Sequence, residues 1–316
     1  MAIETDSNFI MAYGTMSYTY MVSGNDRQAK YWCNKVYTKR DELPLKEKLM
    51  IDHLHAYYFA MPNEEINYLK QFLEIDELNP TYWYLLGLAY YQKLENYEDA
   101  IINLEKALEI HRKWGSNYRN PWIYACLGNS YHKVNDHKRE KEVFEMGLSI
   151  FPDYTRIIEH QAACALSQGE KLKADELIAK YISITKNNRH WAEARIFSGV
   201  GNIYAEAGLK DKAEDSYRQG LNLDPENPSR MNSLAWFLIN NDVNIDDGIK
   251  IINKALKLEP DNWYYLDTKG WGLYKQGRYE ESQKILNGSW HLRPYYNHAG
   301  YQHILEVEKA LANQNQ

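Results

Sequence analysis

The sequence predicts an all-α fold, a right-handed superhelical solenoid of about eight helix-turn-helix hairpins closed by a C-terminal capping helix. Three observations carry that reading. First, Leu86-Gly87, Tyr90, Ala100 and Ala107 recur as Leu127-Gly128, Tyr131, Phe144 and Pro152, and again as Gly201, Tyr204, Ala213 and Pro225, a period of about 34 residues. Second, each period holds two stretches whose apolar residues fall at steps of three and four, the spacing of amphipathic helices. Third, a unit of that size cannot bury its apolar face alone, so it must stack on copies of itself.

The elements follow in chain order. Units start near Ile10, Lys46, Pro80, Pro121, Thr155, Ala194, Pro228 and Trp263, and a capping helix covers about 295–312. In the unit at Pro80, Trp83, Leu86, Gly87 and Tyr90 share one helical face, the chain turns around Glu95-Asn96-Tyr97-Glu98, and Ala100, Leu104, Ala107 and Leu108 form the stripe of a second helix. Small residues at Gly87, Ala100 and Ala107 let the two helices approach, while Trp83 and Tyr90 fill the gaps between them. The unit at Pro121 repeats this with Leu127, Gly128, Tyr131, Phe144, Gly147 and Pro152, and the unit at Ala194 with Gly201, Tyr204, Gly208, Ala213, Tyr217, Gly220 and Pro225. At Trp263 the pattern survives as Gly270, Gly277, Tyr279, Leu286 and Pro294. The unit at Pro80 carries one extra residue near Leu94. Other units depart further: Lys46 opens a unit without a Leu-Gly pair, Thr155 one with Gln161-Ala162 in its place, and Pro228 one with Leu234-Ala235 and Gly248. In the final helix Ile304, Leu305, Val307 and Leu311 face the stack, with Glu306, Glu308 and Lys309 outward. Two junctions, His111 to Asn120 and Lys186 to Trp191, are longer than the period requires.

This pattern of a large aromatic, Leu-Gly, Tyr, Ala, an aromatic, Ala and a closing Pro resembles the tetratricopeptide repeat, and the resemblance covers nearly the whole chain as a single repeat domain. Residues 1–9, Ala2-Ile-Glu-Thr-Asp-Ser-Asn-Phe after Met1, look like the tail end of a truncated upstream repeat, so the chain reads as a fragment of a longer protein. Asn-Ser-Leu-Ala-Trp-Phe-Leu and Trp-Gly-Leu-Tyr-Lys-Gln-Gly-Arg-Tyr-Glu-Glu are similar to repeats of bacterial envelope and signalling proteins, which gives the array a bacterial type.

Composition narrows the function. With 37 Lys+Arg against 43 Asp+Glu, the net charge of -6 lacks the positive field that holds proteins on phosphate backbones, so nucleic acid is not expected as a partner. Three cysteines, Cys33, Cys126 and Cys164, form neither an even set nor a close-spaced metal pair. No run of about twenty apolar residues suggests membrane insertion, and the cytoplasm is favoured over the periplasm. No phosphate loop, serine elbow or aligned metal-binding histidine pair is present, so neither a catalytic residue, a metal nor a cofactor is expected. His53 and His55 are too close in sequence, and His298 and His303 too poorly aligned, to hold one ion on a helix.

The unusual figure is 14% aromatic, with 27 Tyr and 9 Trp, and these rings point to recognition. A second face of each first helix, unused by the helix lock, carries Tyr84, Leu88 and Tyr91, then Trp122, Asn129, His132 and Lys133, then Arg156 with Glu159, Arg195 with Asn202, and finally Tyr264, Asp267, Trp271 and Tyr274. The resemblance implies that this face lines an inner groove where family members hold extended peptides or partner helices, with Asn129 and Asn202 in the slot that grips a ligand's backbone amide. The candidate binding residues are Tyr84, Tyr91, Trp122, Asn129, His132, Lys133, Arg156, Arg195, Asn202, Tyr264, Trp271 and Tyr274. The bland alternative at the aromatic positions is wedging between hairpins, and at the arginines pairing with Glu159 or a neighbour. Family members that clamp a chaperone's C-terminal carboxylates use lysines at set slots, which here hold Tyr84, Ala125, Glu159 and Ser198, so that clientele is not expected. The expected function is a non-enzymatic module that binds a protein or peptide partner, as the C-terminal part of a larger signalling or assembly protein. Two alternatives remain open: a platform for a sugar or other small ligand on stacked Trp and Tyr rings, and a structural spacer or self-association scaffold.

Overall fold

The computed structural model describes residues 10–187 and 193–314, so the expected repeat remnant at 1–9 and most of the junction at 186–191 lie outside the described residues. Every regular element among the described residues is helical, in eight successive pairs and a closing helix. In chain order these are α1 (Ile10–Val22) with α2 (Asp26–Tyr37), α3 (Leu45–Tyr58) with α4 (Pro62–Ile75), α5 (Pro80–Ala89) with α6 (Tyr97–Lys113), and then, as successive elements of the chain, α7 (Trp122–Lys133) and α8 (His137–Ile150). They continue as α9 (Thr155–Ser167) with α10 (Lys171–Asn187), α11 (Glu193–Glu206) with α12 (Lys210–Leu223), α13 (Pro228–Asn240) with α14 (Ile245–Leu258), and α15 (Trp263–Lys275) with α16 (Tyr279–Leu292). The last helix, α17, spans His298–Gln314. A 3₁₀ turn, Arg40–Glu42, precedes α3, and a π-helical turn, Tyr90–Leu94, extends α5. The chain divides into two compact units: Met1–Asp136 with Pro294–His298, and His137–Arg293 with Ala299–Gln316.

One backbone device ends the first helix of every pair. A residue with positive φ stands in each of the eight turns: Gly24, Ala60, Glu95, Asn135, Gly169, Gly208, Asp242 and Gly277. In seven of them the amide of the next residue donates to the carbonyl five positions back, as in Asn25 to Tyr20 (2.9 Å), Asp136 to Tyr131 (2.9 Å) and Leu209 to Tyr204 (2.9 Å). This is the Schellman closure, which satisfies a helix-end carbonyl and reverses the chain sharply. The α5–α6 turn is the exception, because the Asn96 amide reaches back six residues to the Tyr90 carbonyl at 3.1 Å. The extra residue near Leu94 is thus absorbed as a π turn, a common way to insert one residue without breaking a helix.

Six helix starts are fixed by asparagine. Asn25, Asn79, Asn96, Asn227, Asn244 and Asn262 each cap the following helix by accepting a backbone amide, so donors the helix leaves unpaired are satisfied. At Asn79-Pro80 and Asn227-Pro228 the proline occupies the first helical position, where it has no donor to lose.

Within pairs, small residues set the approach. A Cβ at Gly87 would stand 2.7 Å from Leu104 Cγ and Cδ2, and one at Gly270 would stand 2.6 Å from Leu286. Serine adds a polar lock, with Ser17 Oγ donating to the Ala29 carbonyl at 2.8 Å and Ser282 Oγ to the Gly270 carbonyl at 2.7 Å. The first unit's main core gathers Leu49, Ile66, Leu69, Phe72, Leu86, Tyr90 and Ala100 from successive helices. In the second unit, Tyr217, Leu234, Ala235, Phe237, Leu238, Ile252 and Tyr265 do the same. At the second-helix position where four pairs place alanine (Ala29, Ala100, Ala174 and Ala213), the second unit carries Glu140, buried at 2% exposure. Its carboxylate accepts from Cys164 Sγ at 2.6 Å and pairs with His137 Nδ1 at 2.8 Å, which compensates the buried acid.

Candidate functional site

The first unit contains a half-open apolar cavity of about 580 Å³. Three first helices and one second helix build it. From α1 come Met11, Gly14, Thr15, Tyr18 and Met21; from α3, Met50, Ile51, His53, Leu54 and Tyr57; from α5 and its π turn, Tyr82, Leu85, Leu88, Ala89, Gln92 and Lys93. Helix α4 adds Glu65, Leu69 and Phe72. Within each helix these residues recur at steps of three and four, so each presents one stripe to the cavity. Three methionines give the wall soft, unbranched side chains that can adapt to an occupant. Tyr18 (58% exposed) and Met50 (46%) stand at the rim.

Beside the uncharged Thr15 and Gln92, an acid, a base and an imidazole interrupt this wall: Glu65, Lys93 and His53. Glu65 is 6% exposed and Lys93 5%. The Lys93 ammonium lies over the rings of Tyr57 and Tyr295, 4.6 and 5.6 Å from their centroids, and so has aromatic faces to compensate its charge. Burial pushes the Glu65 carboxyl up to about 7, although the Lys93 charge pulls the other way. No hydrogen-bond donor reaches that carboxyl among the described residues. Burial also pushes the His53 imidazole down to about 4, with the Lys93 charge adding to the effect, so the ring is neutral near pH 7. Its Nε2 is buried without a hydrogen-bond partner among the described residues. The cavity therefore combines apolar walls with a carboxyl and an imidazole nitrogen whose hydrogen-bonding capacity is unspent.

Leu88 apart, the residues singled out from the sequence as binding positions lie elsewhere. Tyr84 needs correction as an open-groove residue: it is 8% exposed, Asn120 Nδ2 donates to its hydroxyl at 3.0 Å, and its ring packs on Tyr118 at 5.2 Å. The side chain is a wedge because the His111 to Asn120 connection folds back over it. Tyr91 lines a second cavity of about 540 Å³ in the same unit, with Tyr57, Lys93, Tyr97, Tyr295 and Tyr296. Trp122, Asn129 and His132 are half-buried and Lys133 is exposed.

In the second unit Arg156, Arg195, Asn202 and Tyr264 are exposed. Arg156 pairs with Glu159 at 3.1 Å, and Asn202 Oδ1 accepts the Tyr217 hydroxyl at 2.6 Å. Trp271 stacks on Tyr274 (4.7 Å, 12°) and on His303 of α17 (4.3 Å, 17°), so its two faces are already covered. Trp271 is thus engaged by rings of the same chain, and His303 is in turn held by Asp267 at 3.1 Å. Sequence reasoning missed the α1, α3 and α4 stripes altogether, and of α5 it took Leu88 but not Tyr82, Leu85 or Gln92. The available signal was three methionines beside a histidine, a glutamate and a lysine within apolar stripes.

As for chemistry, burial pushes the Cys33 thiol up to about 12 and also raises the Cys164 thiol, so neither supplies a thiolate nucleophile near neutral pH. Among the described residues no helix is long and apolar enough to cross a membrane.

Two stretches, residues 80–113 and 194–227, match the tetratricopeptide repeat model, and they are the pairs α5–α6 and α11–α12. The chain is 34% identical over 85 residues to a TPR repeat-containing protein of Methanocaldococcus jannaschii, a stretch covering 27% of this chain and 15% of that protein. It is 28% identical over 110 residues to a TPR repeat-containing protein of Pseudomonas aeruginosa, covering 33% of this chain and 18% of that one. The chain thus spans only 15% and 18% of the lengths of these curated relatives. Among solved structures it is similar to a chain of the APC/C hetero-tetramer Cut9–Hcn1, with 15% identity, 86% of this chain and 50% of that chain covered, and a TM-score of 0.49. The pairs α5–α6 and α11–α12 are thus tetratricopeptide repeats by sequence, and the left-handed turn that ends their first helices recurs in all eight turns.

Proposed function

We propose that this protein-interaction module seats an apolar peptide segment or partner helix in the cavity formed by α1, α3, α4 and α5. The observation that carries the reading is the cavity itself: about 580 Å³ of half-open space walled by methionine, leucine and aromatic side chains. Such a volume takes several side chains of one face of an amphipathic helix, and helix-in-groove binding draws on residues at steps of three and four on both partners. The rim also leaves large apolar surface in water at Tyr18 and Met50, which an occupant would cover. In the second unit, exposed Arg156, Arg195, Asn202 and Tyr264 remain proposed contact positions for a polar stretch of partner, as do Tyr91, Trp122, Asn129, His132 and Lys133 in the first.

The test is a charge at the rim. Met50→Glu places a carboxylate where an apolar occupant must enter, at a side chain that is 46% exposed and therefore not needed by the core. Binding of fluorescent amphipathic helical peptides to the full chain should weaken by about ten-fold or more, while the melting temperature moves by no more than about 2 °C. Unchanged peptide affinity in Met50→Glu would sink the assignment of this cavity.

A further inference from the structure

We propose that the occupant of the first unit's cavity inserts a basic side chain together with its apolar ones, and that Glu65 receives it. This rests on the reading that the cavity is the binding site, and it names the partner's chemistry. Glu65 and Lys93 are the two charge-bearing side chains of the wall, and they are not equally provided for. Lys93 carries its own compensation in the rings of Tyr57 and Tyr295. Glu65 lies 6% exposed with no donor on its carboxyl among the described residues, and an anion buried without donors is costly. On the wall of the same cavity, the buried His53 Nε2 also lacks a hydrogen-bond partner among the described residues. Two unpaired groups in one apolar cavity mark the place where an occupant's polar head belongs.

The sign of that head follows from the charges present. An anionic head would meet Glu65 at close range, and the lysine that might offset it is already engaged with two aromatic faces. A lysine or arginine of the partner brings donors that the Glu65 carboxylate accepts directly, and a second donor of an arginine suits an imidazole nitrogen that accepts. Its aliphatic stem runs along leucine and methionine while the head pairs, which is how long basic side chains occupy apolar surface. The chain's net charge of -6 attracts a basic segment before contact. The partner is therefore a basic amphipathic helix or peptide rather than an acidic one.

The probes are three capped helical peptides of about fifteen residues that share leucines at steps of three and four and differ at one position on the apolar face: lysine, norleucine or glutamate. Each is titrated by fluorescence anisotropy against the full chain and against Glu65→Gln, at a pH near 8 where the carboxyl is ionised. The lysine peptide should bind wild type about ten-fold more tightly than the norleucine peptide, with the glutamate peptide weakest. In Glu65→Gln the advantage of lysine over norleucine should shrink to about two-fold or less. An unaltered advantage in Glu65→Gln, or the glutamate peptide binding wild type best, overturns the proposal. The wild-type series with its three peptides remains decisive if Glu65→Gln folds poorly. Equal affinities for all three, lost together in Met50→Glu, would remove the basic partner and keep the cavity. Failure of all three to bind would remove both. Dodecanoate bound more tightly than any peptide would assign the cavity to an acyl chain and overturn the proposal.

Discussion

At residue scale, four of the eight hairpin turns place a side chain in a conformation that favours glycine. Ala60 (φ 60°), Glu95 (φ 50°), Asn135 (φ 61°) and Asp242 (φ 54°) stand where Gly24, Gly169, Gly208 and Gly277 stand in the others. The left-handed region costs an ordinary L-residue about 1–2 kcal/mol, but Asn and Asp visit it more readily. Part of any gain from glycine is lost to the greater freedom of the unfolded chain, about 0.5–1 kcal/mol. Ala60→Gly should therefore stabilise the protein by about 0.5–1 kcal/mol, while Asn135→Gly should leave it nearly unchanged. Denaturant midpoints of the two variants, measured side by side, check this. Equal effects would mean that φ at these turns does not set the strain.

At element scale, the close pairing of helices is decided by the positions where no Cβ fits. At Gly87 an added Cβ would sit 2.7 Å from Leu104 Cγ and Cδ2 and 3.1 Å from the Leu104 amide nitrogen, and Leu104 is fully buried. The leucine cannot retreat without displacing its neighbours, so Gly87→Ala should destabilise by about 1–3 kcal/mol. A Cβ at Gly288 meets nothing within 4 Å, so Gly288→Ala should be neutral or slightly stabilising through helix propensity. Thermal melting of the pair separates packing from propensity, and similar losses in both would refute the close approach. This part of the fold was legible because the lock is local: Leu86-Gly87, Tyr90 and Ala100 are near in sequence. The extra residue was legible too, since thirteen positions separate Gly87 from Ala100 but twelve separate Gly201 from Ala213, and it became the π turn. The binding face was not legible, because whether a ring is open depends on residues that arrive from elsewhere in the chain. Tyr84 is closed off by Asn120 and Tyr118, and Trp271 by His303. The cavity stripes of α1 and α3 belong to units with no Leu-Gly pair, so the repeat register that would have oriented those helices was absent.

At the scale of the whole molecule, repeat arrays sum the stabilities of their units and of the contacts between neighbours, so a titrating group buried in one hairpin changes the stability of the chain. His53 and Glu65 lie in the α3–α4 pair and act in opposite directions. The His53 imidazole titrates near 4 in the folded chain against an ordinary 6.5, so its contribution is complete above pH 6.5 and is lost as the pH falls toward 4. The Glu65 carboxyl titrates near 7 against an ordinary 4.5, so its contribution is complete below pH 4.5 and is lost as the pH rises through 7. Each amounts to about 3 kcal/mol at most, at about 1.4 kcal/mol for each pH interval crossed. Between pH 4.5 and 6.5 the two pH slopes nearly cancel, because one cost falls as the other grows, and above that the cost of ionising Glu65 stands alone. Removing one group should expose the other. Relative to wild type, Glu65→Gln should gain stability steadily as the pH rises from 4.5 to 7, and His53→Gln should gain as it falls from 6.5 toward 4. Denaturant unfolding of the three proteins across this range gives difference curves in which all other titrating groups cancel. Difference curves that stay level with pH would show that neither side chain is buried in the charge state that the cavity wall imposes. A basic peptide bound at Glu65 should abolish the Glu65 difference, because pairing returns the carboxyl toward its ordinary range.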